Sequence, residues 1–176
     1  TASGEISSAF GYSNDATGDQ SSAFGSFNNA TGLRSSAFGY GTFSDVYGLM
    51  AVGHYNADPV GNGTTWVDTD PVFVIGNGED VNNRSTALTI LKNGNVGIGT
   101  STPSAKLDVN GTLISDTLSI NGNELADNTR INFRASDDSN RFQIETDLDG
   151  STVNDLLGFR SFQNDNILVL KGNGNV

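Results

Sequence analysis

The chain has no cysteine, one histidine, one methionine, one tryptophan and three prolines among its 176 residues. Without cysteine there is neither a disulfide framework nor a thiolate metal site, so packing or association between copies has to supply stability. Three lysines and six arginines stand against 20 acidic residues, for a formal charge of −11. That balance disfavours nucleic acid, whose phosphates demand a basic face, and an acidic surface keeps a crowded assembly soluble. No apolar run reaches the roughly 18 residues that a membrane-spanning helix needs, so no membrane insertion is expected. No basic stretch followed by an apolar one opens the chain as an export signal does. Nor does any window carry apolar residues at helical spacing over more than two turns. The sequence starts at Thr1 without a methionine and stops inside a motif, which reads as a piece of something longer.

What is abundant is turn chemistry. Glycine supplies 22 residues and asparagine 21, against a usual glycine share of about 7%. Leu, Ile, Val and Phe total 44 of 176, or 25%. That exceeds the level of about 20% below which chains tend to stay disordered, so the chain is expected to fold around a thin core.

The turns are periodic. Three 14-residue copies follow one another: SSAFGYSNDATGDQ (7–20), SSAFGSFNNATGLR (21–34) and a decaying SSAFGYGTFSDVYG (35–48). Glycine recurs every seven residues at Gly11, Gly18, Gly25, Gly32 and Gly39. Each copy therefore splits into two short strands, each closed by a turn at which glycine would supply a positive φ. Fourteen residues make one coil of a flattened solenoid. Ala9, Ala23 and Ala37 stack in one row, and Phe10, Phe24 and Phe38 in the next, on opposite faces. One coil cannot bury its apolar row alone, and three barely suffice, so identical neighbours are expected to supply the rest.

A second motif appears twice, as LTILKNGNVGIG (88–99) and as LVLKGNGNV (168–176), 80 residues apart. Around the first copy the apolar residues alternate (Val72, Val74; Leu88, Ile90; Val96, Ile98; Leu107, Val109), and Asn77-Gly78, Asn93-Gly94 and Asn110-Gly111 are hairpin signals. The expectation is β-meander throughout. Punctuation gives four parts: a β-roll over 1–58, a loop over 59–71 between Pro59 and Pro71 that carries Trp66, a β connector or shaft over 72–129, and a C-terminal β-module over 130–176. If 106–125 is a shaft, Leu107, Val109, Leu118 and Ile120 face its axis.

The repeats of 7–58, ending in MAVGHYNAD (50–58), resemble the head domains of trimeric autotransporter adhesins, left-handed parallel β-rolls built from SxAxG and NxAxG half-repeats. Phe at the fourth position of SSAFG departs from the more usual aliphatic residue. GNVGIGTSTPSAKLDVNG (94–111) is similar to a segment that recurs in phage long tail fibres and related surface fibres, often upstream of a self-cleaving intramolecular chaperone. Residues 130–176 look like the β-module between two such segments. Together the resemblances imply an all-β homotrimeric fibre: left-handed parallel β-roll head repeats, a β-meander or β-prism shaft and a second β-module. The partners they imply are the chain itself and a bacterial surface glycan or outer-membrane receptor, with the fibre carried on a virion tail. A bacterial trimeric surface adhesin is the alternative, and a tailspike-like glycan hydrolase a third reading.

Catalytic chemistry finds little support. His54 is the only histidine, so a Ser-His-Asp site would have to use it. The acid pairs Asp68/Asp70, Asp137/Asp138 and Asp147/Asp149 read as turn residues capping their own backbone rather than as glycosidase carboxylates. TDLDGST (146–152) has two acids before a glycine but lacks the third acid and closing glutamate of a calcium loop. No Gly-Lys-Ser/Thr follows the GNVGIGT glycines, which excludes a phosphate loop. No enzyme, cofactor or metal is expected, and His54, Asp147 and Asp149 are the only metal candidates carried forward. Aromatics near turns are the better binding candidates, because rings exposed in loops stack on sugars while neighbouring Asn and Asp supply hydrogen bonds. Trp66 leads, followed by Tyr55, Tyr40 and Tyr12. Phe27, Phe43 and Tyr47 are expected to pack between coils or subunits.

Overall fold

In a computed structural model, residues 1–117 are described in full, and beyond them the backbone of strands 129–134, 141–147, 156–161 and 164–171. The chain is all-β, a parallel β-roll continued by further strands. It divides into two compact units, Thr1–Ile114 and Ser115–Val176.

Each SSAFG or its counterpart forms one long strand: β1 (Ser8–Tyr12), β3 (Ser22–Ser26), β5 (Ser36–Tyr40) and β7 (Met50–His54). Each second half-repeat forms a two-residue strand: β2 (Asp15–Ala16), β4 (Asn29–Ala30) and β6 (Phe43–Ser44). Long strands pair in parallel, residue i with i+14, and so do the short ones. The space between the two sheets is narrow and is filled by alanine: Ala16, Ala23, Ala30 and Ala37 are fully buried and Ala9 packs against them.

Beyond the repeats the sheet does not break. After the loop 59–71, β8 (Pro71–Asn77) lies parallel to β7, with Ala51 opposite Val74. Strands β9 (Thr86–Leu91) and β10 (Val96–Ile98) continue it antiparallel, so the β-roll and the start of the connector share one eight-stranded sheet. A second small core of Val46, Leu49, Ala51 and Val74 sits at their junction. The second unit is a four-stranded antiparallel meander of β12 (Thr129–Arg134), β13 (Arg141–Asp147), β14 (Leu156–Ser161) and β15 (Asn164–Lys171).

Three expectations need correction. Meander does not run throughout: β11 (Leu107–Val109) pairs in parallel with β10, so Asn110-Gly111 is no hairpin turn, although Asn93-Gly94 is one. Asn77-Gly78 opens the longer 78–85 connection, which Asp80 organises by accepting the Asn82 and Asn83 N–H groups. The heptad glycines do not all supply a positive φ. Gly11, Gly25 and Gly39 adopt φ of 111°, 118° and 130°, whereas what all five share is close approach, since a Cβ would stand 2.0–2.4 Å from a carbonyl oxygen of the next coil. Leu118 and Ile120 lie outside the described residues.

Candidate functional site

The alternation of a strand sends Ala9 and its equivalents inward and Phe10 and its equivalents outward. On the outer face the register carries one row across all eight strands: Phe10, Phe24, Phe38, Val52, Ile75, Leu88, Ile98 and Val109. Beside it, two residues away on each strand, Met50, Phe73, Ile90, Val96 and Leu107 form a second apolar row. Phe24 and Phe38 stack with centroids 5.3 Å apart. Phe10 is nevertheless 74% exposed, and Met50, Ile98 and Leu107 are exposed as well. The bulky side chains therefore coat the sheet, while the interior of the roll is made of the smallest ones.

A stack of rings runs along one corner of the coils. The last residue of each long strand and the turn residue of the following coil meet there. Tyr12 meets Phe27 at 5.3 Å, Phe27 meets Tyr40 at 5.5 Å and Tyr40 meets Tyr55 at 5.4 Å, all edge to face. His54 stacks on Tyr40 at 5.2 Å and stands perpendicular to Tyr55 at 4.8 Å, and one of its ring nitrogens, Nδ1, lies 2.7 Å from Gly78 O. Tyr12, Phe27 and Tyr40 are exposed, with Tyr12 at 66%. Gly41 makes the stack possible, since a Cβ there would lie 2.4 Å from the Tyr55 ring. Arg84 braces the corner from the 78–85 connection: Nη1 donates to Gly41 O at 2.8 Å and to Asn56 O at 3.1 Å, and the guanidinium lies 3.6 Å from the Phe43 ring centroid. Desolvation, reinforced by the Tyr40 hydroxyl, pushes the Tyr55 phenol above its ordinary value.

Trp66 belongs to a different place. Asn62 organises its loop by accepting the Thr64 and Thr65 N–H groups at 2.9 and 3.0 Å. The loop docks on the opposite corner of the coils, where Leu33 N donates to Gly63 O and Tyr47 N to Asn62 O, both at 2.8 Å. The Trp66 indole donates to Asp68 at 2.7 Å and is 56% exposed. Lys92 lies 5.5 Å from the Tyr47 ring and 5.2 Å from the Trp66 ring.

Of the sequence candidates, then, the structure brings Tyr12, Tyr40, Tyr55 and His54 together and sets Trp66 apart. Phe27 and Phe43 join the first cluster and Tyr47 the second. Asp68 and Asp70 are engaged by the loop itself, through Trp66 and through the Asn62 N–H. Asp147 ends β13, where only backbone is described, and Asp149, Asp137 and Asp138 lie outside the described residues. Among the described residues no three His, Cys, Asp or Glu side chains gather as a metal site would require. Arg84 and Lys92 escaped the sequence reading, because both come from antiparallel strand connections whose return path no local spacing records.

The model of the YadA head domain repeat matches the chain twice, over residues 2–28 and 16–42. These are repeats of a structural adhesin head rather than of an enzyme, and they point to an extracellular surface fibre. No curated protein and no solved structure matches the chain.

Proposed function

We propose that the chain is the structural and receptor-binding part of a homotrimeric surface fibre, with three β-rolls joined along the outer face of the eight-stranded sheet. The unbroken apolar row from Phe10 to Val109 carries this reading. Two adjacent apolar rows facing water would make the isolated chain poorly soluble, and each large side chain transferred out of water contributes about 1.5–3 kcal/mol. Head repeats of the matched type assemble in threes, and three copies of one open face close around an axis.

With the apolar face inside the assembly, the ring corner of Tyr12, Tyr40 and Tyr55 and the Trp66 loop are left for a target. Aromatic faces stack on sugars, so the proposed target is a bacterial surface glycan. Three identical weak sites on one rigid stalk gain affinity by avidity without new contacts. The resemblance of 94–111 to tail-fibre segments supports a phage tail fibre as the setting. A bacterial surface adhesin is the second reading, favoured by the two matches to an adhesin head repeat.

Light scattering tests the assembly: the expected solution mass is three times the 18.4 kDa of the chain, and a stable monomer overturns the proposal. A glycan array then tests recognition, with binding expected for the trimer and lost in Tyr40→Ala.

A further inference from the structure

Lys92 follows β9 at the start of the Asn93-Gly94 hairpin, and its side chain is completely covered. Its Nζ lies 3.9 Å from Asp70 Oδ2, and no hydrogen-bond partner reaches it among the described residues. Asp70 is 7% exposed. Its Oδ2 accepts the Asn62 N–H at 2.8 Å, and Gly61 presses so close that a Cβ there would stand 2.7 Å from the carboxyl carbon. The backbones are fixed too, with Lys92 N donating to Asp70 O at 2.9 Å and Asn93 N to Asp68 O at 2.8 Å. The rings of Tyr47 and Trp66 complete the enclosure.

A fully buried ammonium without a hydrogen bond is costly, and a carboxylate 3.9 Å away repays that cost poorly when no direct bond forms. Burial accordingly pushes the Lys92 ammonium below its ordinary value. Passing one proton to Asp70 neutralises both groups. It leaves an amine, which is a nucleophile, held beside a carboxylic acid where the Lys92 side chain is covered and Asp70 is almost so.

We infer that Lys92 and Asp70 condense to an intramolecular amide that ties the 59–71 loop to the 91–95 hairpin. The Lys92 nitrogen attacks the Asp70 carboxyl carbon, and the C–N bond forms. Charge on Oδ2 is met by the Asn62 N–H already aimed at it. A second proton passes from nitrogen to the departing hydroxyl, the C–OH bond breaks and one water leaves. The nitrogen keeps its third proton as the amide N–H. Ammonium plus carboxylate thus gives amide plus water, with no oxidant, metal or cofactor required. In a chain without cysteine the bond is a covalent staple for the loop that carries Trp66.

The mass of the intact purified protein decides the matter. The expected value lies one water below that of the sequence, and digestion yields one branched peptide joining Lys92 to Asp70, with no tryptic cut after Lys92. Lys92→Ala and Asp70→Ala regain the full sequence mass. A wild-type protein at full sequence mass overturns the inference, and no variant has to fold for that result. A loss of ammonia rather than water, mapped to an Asn-Gly pair, overturns it as well, because it reports succinimide formation without Lys92.

Discussion

At every seventh position from residue 6 to residue 55 the backbone turns left-handed. The positions are Ile6, Ser13, Gln20, Phe27, Arg34, Gly41, Gly48 and Tyr55, with φ between 37° and 65°. A left-handed conformation costs a non-glycine residue about 1–2 kcal/mol. The corners offset that cost by hydrogen bonding to the coil before: Gln20 N donates to Glu5 O, Phe27 N to Tyr12 O, Arg34 N to Asp19 O and Tyr55 N to Tyr40 O, at 2.7–3.0 Å. The side chains at these corners are thus free to vary, which is how Phe27 and Tyr55 come to project from them. The opposite situation holds at Ser21 and Ser35. Both are fully buried, and neither hydroxyl finds a partner among the described residues. Burying an unpaired hydroxyl costs about 1–3 kcal/mol. Ser21→Ala should therefore stabilise the protein by about 1 kcal/mol, read as a raised midpoint in urea with an unchanged slope. A lower midpoint would mean that the hydroxyl is satisfied after all.

At the scale of the element, one polar ladder holds the coils in register. Asn28 donates to Phe24 O and to Gly39 O, both at 2.8 Å, while its side-chain oxygen accepts Thr42 N at 2.9 Å and the Thr42 hydroxyl at 2.7 Å. Asn14 repeats the pattern one coil earlier, donating to Phe10 O and Gly25 O. Asn28→Ala strands two carbonyls, one amide and the Thr42 hydroxyl inside the protein, for a loss of about 3 kcal/mol. Faster hydrogen exchange at the Thr42 amide should accompany it, and a loss below half that size would show that the coils rely on alanine packing instead. The ladder also shows what could be read beforehand. The 14-residue period gave the coil, its parallel register and the alanine row, because a fixed repeat makes i and i+14 structural equivalents. The end of the stack was written in the same places but needs three dimensions to interpret. Val46 stands where Gly18 and Gly32 stood, and Leu49 where Ser21 and Ser35 stood. Strand β6 is the last of its sheet, and at residues 46 and 49 side chains pack into a small core with Ala51 and Val74. The parallel pairing of β11 had no such signal, because its strand is three residues long and reaches its partner by a path that alternation does not encode.

For the whole molecule the main fact is the inversion of size, with alanines inside the roll and phenylalanines outside it. Alternation separates the two rows in the sequence but does not say which faces inward. The structure decides it: Ala16, Ala23, Ala30 and Ala37 meet between the two sheets with no exposure, and the phenylalanine row lies on the other face of the long strands. In the proposed threefold assembly the outer row is covered by neighbouring copies, and the ring corner is left to face the solvent. Phe38 sits in that row between Phe24 and Val52, clear of the alanine core. Phe38→Glu should leave the β-sheet signal in circular dichroism intact, because it removes nothing from inside the roll. In a threefold assembly it would bring three carboxylates together in an apolar surround, where burying unpaired charge is prohibitive. The solution mass should then fall to the 18.4 kDa of one chain, and binding to a glycan surface should fall with it through lost avidity. Tyr40→Ala should do the reverse, keeping the assembly and losing the target. A Phe38→Glu protein that remains threefold would place the interface elsewhere and return the outer row to the list of surfaces in search of a partner.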